Sequence, residues 1–106
     1  MVSKSVVVHE DIEYYIPINS YVNKLYITIY LLAGVDPLIQ TEQKIVEFKV
    51  LEVGGVNYMH DGRLIINETG IKMEMAIEKV IDSVIIATYH NIGQTSSGVW
   101  ALVSYD

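Results

Sequence analysis

Three histidines, His9, His60 and His90, are the side chains of this 106-residue chain that could bind zinc through nitrogen, and cysteine is absent. Three imidazoles converging on one ion with a coordination position left open would make a catalytic metal site. No two of them are spaced as His-x-His or His-x-x-x-His, so the pattern points to loop or edge histidines, and no metal or other cofactor is predicted. Glu10, Asp11 and Glu13 form an acidic cluster. Carboxylate chemistry of the glycosidase kind needs two acids facing each other across roughly 5–9 Å, and a solvated charge run accounts for this cluster without it. Ser20, Ser83, Ser96 and Ser97 lie outside any Gly-x-Ser-x-Gly elbow, and Gly54-Gly55 lacks the Lys-Ser/Thr pair of a phosphate-cradling loop. The residues thus assemble no coherent catalytic set, and the protein is read as a non-enzyme. The competing enzymatic reading is a small metal-dependent or acid/base enzyme using His9, His60 and His90 with the acids at 10–13. Asn67-Glu68-Thr69 matches a glycosylation sequon, a pattern short enough to occur by chance.

The aromatic inventory is more informative: eight Tyr and one Trp against a single Phe. Tyrosine buries a flat apolar body while keeping a polar tip, which suits protein interfaces and sugar-stacking platforms. Trp100, with Asn91, Gln94 and Thr95 from the polar loop before the last strand, is the candidate ligand site, and carbohydrate is its leading ligand. A core position for Trp100 is the expectation that competes with it. Tyr26, Thr28 and Tyr30 alternate with Leu25, Ile27 and Ile29 and form the candidate subunit interface.

Charge narrows the partners. Seven Lys+Arg stand against thirteen Asp+Glu, for a net charge of −6, and the cations are spread singly along the chain. A surface that neutralises phosphates needs clustered cations, so nucleic acid and anionic membranes are disfavoured. The longest nearly apolar stretch, 25–35, falls well short of the ~18 residues that cross a bilayer, and the apolar run at 6–8 is far too short for a signal peptide. No membrane insertion is predicted, and the compartment stays open.

The elements that must hold these side chains are strands. Ile and Val number 29 together against 11 for Leu and Ala, and β-branched side chains suit a pleated, half-buried surface. Alternation of period two marks strands at 25–32, 46–50, 71–78 and 99–106, with a phase slip at 51–53 that predicts a bulge. Weaker strands are expected at 3–9, 12–18, 63–67 and 84–90. Turns are expected at Asp36-Pro37, Gly54-Gly55, His60-Asp61-Gly62 (a hairpin tip), Asn67–Gly70 and Asn91–Gly98. Residues 75–89 also carry a helical stripe, Ile77, Val80, Ile81, Val84, Ile85 and Thr88, and the strand reading needs a turn at 79–83 that has neither Gly nor Pro.

The predicted fold is therefore all-β: one antiparallel β-sandwich domain over residues 1–106, of about eight short strands. A jelly roll is one form of it, a flattened barrel another, and α+β with one helix near 75–89 the alternative. Half of the residues are apolar and only 20 are charged, more apolar surface than a monomer usually leaves uncovered. The predicted protein is a self-associating structural or interaction module, a homo-oligomer of the virion, surface-layer or decoration kind. A carbohydrate- or small-ligand-binding module centred on Trp100 is the alternative function.

Overall fold

The computed structural model describes residues 1–31, 44–54, 58–66, 70–89 and 98–106. Those residues are almost entirely antiparallel strand: β1 Val2–His9, β2 Ile12–Leu31, β3 Lys44–Glu52, β4 Tyr58–Ile66, β5 Ile71–Thr88 and β6 Gly98–Tyr105. They form one hydrogen-bonded order, β1-β6-β2-β5-β3-β4. The all-β prediction holds. The helical alternative near 75–89 does not, because β5 runs as strand from Ile71 through Thr88.

Two of the six strands each take the place of two predicted ones. β2 covers the segment expected at 12–18 and the one at 25–32 as far as Leu31, and β5 covers the one at 71–78 and the one at 84–90 as far as Thr88. Where a turn was expected at 79–83, the chain instead carries bulges. Pairing of β2 with β5 slips between Pro17 and Ser20, where β2 has the extra residue, and again between Val22 and Lys24, where β5 has it. Asn19 (φ 51°) and Glu78 (φ 54°) lie in these slips in the left-handed region. A bulge of this kind bends and coils the ribbon without ending it, which is how one strand serves two layers.

Divided at the bulges, the order separates into two four-stranded halves. β1, β6, the C-terminal part of β2 and the N-terminal part of β5 form the first. The N-terminal part of β2, the C-terminal part of β5, β3 and β4 form the second. Val8, Leu25, Ile27, Ile29, Val99, Ala101 and Val103 of the first half are fully buried, as are Val46, Val50, Ile66, Val84 and Ile86 of the second. All belong to one cluster. A side chain on the open face of a lone sheet cannot lose all contact with water, so each half must be covering the other. The two halves enclose one core, with Val22, Ile77 and Ile81 filling it where the ribbon bends.

Other expectations resolve individually. The bulge expected at 51–53 is present as register slips at Val50/Leu51 and Leu51/Glu52. His60-Asp61-Gly62 is not a hairpin tip. It lies inside β4, paired to Val50, Lys49 and Phe48. Gly62 is there for packing: a Cβ on it would sit 2.9 Å from the Phe48 ring. The turn expected at Gly54-Gly55 opens at Val53-Gly54, with Gly54 at φ 75°, and Gly55 lies outside the described residues. Asp36-Pro37, Asn67-Glu68-Thr69 and most of the 91–98 loop lie outside the described residues.

The passage between halves at Glu10-Asp11 is pinned firmly. Asp11 N donates to Thr88 O at 2.8 Å, and Asp11 adopts φ 64°. Beneath it lies an ion pair that the sequence analysis did not anticipate. Lys44, its side chain fully buried, sets Nζ 3.0 Å from Glu10 Oε1 and 3.4 Å from Tyr89 O. Lys44 shares the inward phase of Val46, Phe48 and Val50, and that parity was the available signal.

Candidate interaction surface

The two halves present outward faces of unlike chemistry, and strand register says which residues compose each. In the first half, cross-strand pairing sets Val7, Trp100 and Tyr30 in one row, Ser5, Leu102 and Thr28 in the next, and Ser3, Ser104 and Tyr26 in the third. None of these nine carries a charge. At the usual strand and residue spacings the block measures about 14 by 20 Å, roughly 300 Å². Tyr30 and Trp100 stack at 5.8 Å between centroids, 22° between planes. Tyr30 also leans over Gly70, where a Cβ would approach its ring to 2.4 Å and φ is 73°. Ser3 and Ser104 hydroxyls hydrogen bond at 3.0 Å. Charge begins at the margin with Lys72 and Glu74 of β5, the latter paired with Lys24 at 3.3 Å. That pairing holds the exposed Lys24 ammonium above its ordinary pKa, first through its hydrogen bond to Glu74 and then through the charge itself.

The second half's outward face is laced with ions. Arg63 Nε donates to Glu47 Oε1 at 2.9 Å, and Lys49 Nζ lies 3.8 Å from Glu13 Oε1. The Tyr15 hydroxyl donates to Asp82, and the Tyr89 hydroxyl to Glu47 Oε2 at 3.3 Å. Desolvation, reinforced by the Glu47 charge, raises the Tyr89 pKa. This face carries several ion pairs, whereas the first half's block is uncharged, with charge at its margin.

The predicted interface residues Tyr26, Thr28 and Tyr30 thus fall together on the uncharged face, opposite the fully buried Leu25, Ile27 and Ile29. Trp100 joins them. The core position expected for it is not found: it is only partly buried, because β6 turns Val99, Ala101 and Val103 inward and Trp100 and Leu102 outward. Asn91, Gln94 and Thr95 lie outside the described residues, as does His90. His9, exposed at the end of β1, has its ring 6.4 Å from that of Tyr14, whereas His60 lies on β4 at the other end of the strand order. Among the described residues no group of three or more His, Asp or Glu stands close enough to hold a metal ion, and no helix is long and apolar enough to cross a membrane. Other exposed apolar side chains lie in short cross-strand groups, Ile45 beside Ile65 and Val80 between Val53 and Tyr21.

No protein-family model matches the chain, and no curated protein sequence matches it. Solved structures do. A de novo designed double-stranded β-helix, solved by NMR, matches over 100% of both chains with a TM-score of 0.51 and 12% identity. A chain from the Bacillus endospore appendages, described as a novel family of disulfide-linked pili, matches with a TM-score of 0.50 and 10% identity over 96% of this chain and 80% of that one. At such identities the likeness is one of fold alone.

Proposed function

We propose that this chain is a non-enzymatic structural module that assembles with copies of itself, a subunit of an ordered assembly of the pilus, surface-layer or virion kind. The observation that carries the reading is the uncharged outward block Val7–Trp100–Tyr30, Ser5–Leu102–Thr28, Ser3–Ser104–Tyr26, on a molecule whose other outward face is laced with ion pairs. An area of ~300 Å² fits the dry centre of an interface whose full extent is ~800 Å² per partner. The likeness to a pilus chain supports the same reading. Those pili are disulfide-linked; this chain has no cysteine, so its own assembly is held by packing, hydrogen bonds and charge.

The test is absolute molar mass by size-exclusion chromatography with light scattering across a concentration series, on the native chain and on Leu102→Glu. The variant places a charge at the centre of the block, on a side chain that is not core. Oligomers that dissociate on this substitution, with the far-ultraviolet circular dichroism unchanged, are the expected result. A native chain that stays a 12 kDa monomer at every concentration overturns the proposal.

A second reading rests on the Tyr30–Trp100 stack alone: two outward rings side by side make a platform for a sugar face. Because the chain has one tryptophan, oligosaccharide titrations followed by its fluorescence report directly on that platform.

A further inference from the structure

We propose that β4 is a self-pairing edge: β4 of one molecule joins β4 of a second copy, antiparallel about a two-fold axis through Gly62, and continues the second half's sheet across the pair. This inference rests on the assembly reading above and names a second contact surface, distinct from the uncharged block.

Among the described residues β4 hydrogen bonds only with β3, and no other described strand pairs with its far side. Its outward positions are Asp61, Arg63 and Ile65, all exposed, and Ile65 keeps 65% of its surface in water. Exposed charges ordinarily guard an edge against pairing. These two have opposite signs and flank a glycine symmetrically, which reverses the outcome. In an antiparallel pairing centred on Gly62, Asp61 faces the partner's Arg63 and Arg63 faces the partner's Asp61, at the 4.5–5.5 Å Cβ spacing of directly opposed residues.

The match extends inward. Within one molecule β3 and β4 pair Glu47 with Arg63 and Lys49 with Asp61. The joined sheet therefore carries the row Glu47, Arg63, the partner's Asp61, the partner's Lys49, and its two-fold mate. Sign alternates at every strand in both rows, so no like charges become neighbours. β1, the edge at the other end of the strand order, has a single cation, Lys4, and offers β4 no such complement. Gly62 presents no side chain at the axis, and the atoms nearest its missing Cβ belong to the inward Phe48 ring. An open hollow of about 220 Å³, lined by Glu47, Phe48, Lys49, Asp61, Gly62 and Arg63, lies at this site and gives an incoming arginine or aspartate room to seat. An isologous contact of this kind is self-complementary, as a two-fold requires.

The experiment uses two variants of the full chain, Asp61→Arg and Arg63→Asp. Alone, each carries one sign at both positions and meets itself with like charges, weakening self-association at this edge by roughly ten- to a hundredfold. Mixed in equal amounts, each presents to the other the charges it lacks, and association returns as mixed species, counted by native mass spectrometry with one variant isotopically labelled. Variants that assemble singly as tightly as the native chain, or a mixture no tighter than either alone, overturn the edge. Such a result leaves the assembly reading intact if Leu102→Glu still dissociates the oligomer; a monomeric native chain overturns both. If a charge reversal prevents folding, Asp61→Asn with Arg63→Gln replaces it. In that variant native-like association at low salt overturns the edge, and weakened association supports it.

Discussion

The buried pair Lys44–Glu10 gives the sharpest test of the energetics. Two charges 3.0 Å apart attract by about 5–6 kcal/mol at an effective dielectric near 20. Removing two ions from water costs several kcal/mol each, so the net contribution of the intact pair is small. Removing one partner is another matter, and the two ends differ. The Lys44 side chain is fully buried, whereas Glu10 keeps 15% of its side chain in water. Glu10→Ala strands an ammonium whose remaining hydrogen bond among the described residues is to the Tyr89 carbonyl at 3.4 Å, and should cost about 3–5 kcal/mol. Lys44→Met leaves a carboxylate that water can still reach, and should cost less, about 1–3 kcal/mol. Combining the two changes should recover much of the loss, because an apolar stem then fills the space with no charge left behind. Urea denaturation followed by far-ultraviolet circular dichroism supplies all four corners of the cycle. For a domain with a total stability of ~5–15 kcal/mol the Glu10→Ala midpoint must move conspicuously. A loss under ~1 kcal/mol, or a double variant no more stable than Glu10→Ala, would refute the claim that Lys44 is buried and held by Glu10.

Three further outcomes follow from the geometry. Trp100→Ala removes a partly buried ring stacked on Tyr30, so the monomer should lose about 1–2 kcal/mol in place of the ~3–5 of a core tryptophan, with oligomerisation weakened more than folding; differential scanning calorimetry and light scattering on the same samples separate the two. Gly98→Ala would place a Cβ 2.2 Å from the Val8 carbonyl oxygen and push β1 off β6 at a cost of about 2–3 kcal/mol, visible as loss of hydrogen-exchange protection in β1 while β3 and β5 keep theirs. Raising the pH should destabilise the fold from about pH 10 upward, near the unfolded-chain values of Tyr and Lys. The folded pKa of Lys24 is raised, so its contribution is complete below that range and is lost above it. Tyr89 acts in the same sense, since the unfolded chain releases its proton first; melting temperatures from pH 8 to 11.5, with Glu47→Gln for comparison, measure it.

Strand faces were legible because their period is two and the core is β-branched: Leu25, Ile27 and Ile29, and Val99, Ala101 and Val103, are buried as their alternation requires. The joining of segments into β2 and β5 was not legible. A strand that bends at bulges shows no terminator, and Glu78 is a residue type that carries no signal for the left-handed conformation it adopts. Gly62 misled for the opposite reason, being selected by the Phe48 ring behind it and not by a turn. Lys44 and Glu10 read as dispersed charges because composition counts ions without locating them, although the parity of Lys44 with Val46 pointed inward. Trp100 shows the limit of residue type as a guide: an aromatic on β6 can face either way, and only its phase against Val99 and Ala101 decides.

The two proposed contacts differ in kind, and that difference governs how they combine. The uncharged block lies on the β1-β6-β2 side of the molecule, and the β4 edge ends the other half. Occupying one leaves the other open, so each added copy exposes a new surface. Two different self-complementary contacts on one chain either close into a dihedral ring or extend as an open chain, according to the angle between their axes. Salt separates their contributions. Screening shortens the reach of the Asp61 and Arg63 charges to ~3 Å at 1 M, while excluded salts such as sulfate strengthen apolar burial around Trp100 and Leu102. Concentrated sulfate should therefore dissolve long assemblies into pairs joined at the uncharged block, and low salt should favour pairs joined at β4. An assembly held by one contact alone would change monotonically with salt, whereas two contacts of opposite salt response give the longest assemblies at intermediate ionic strength.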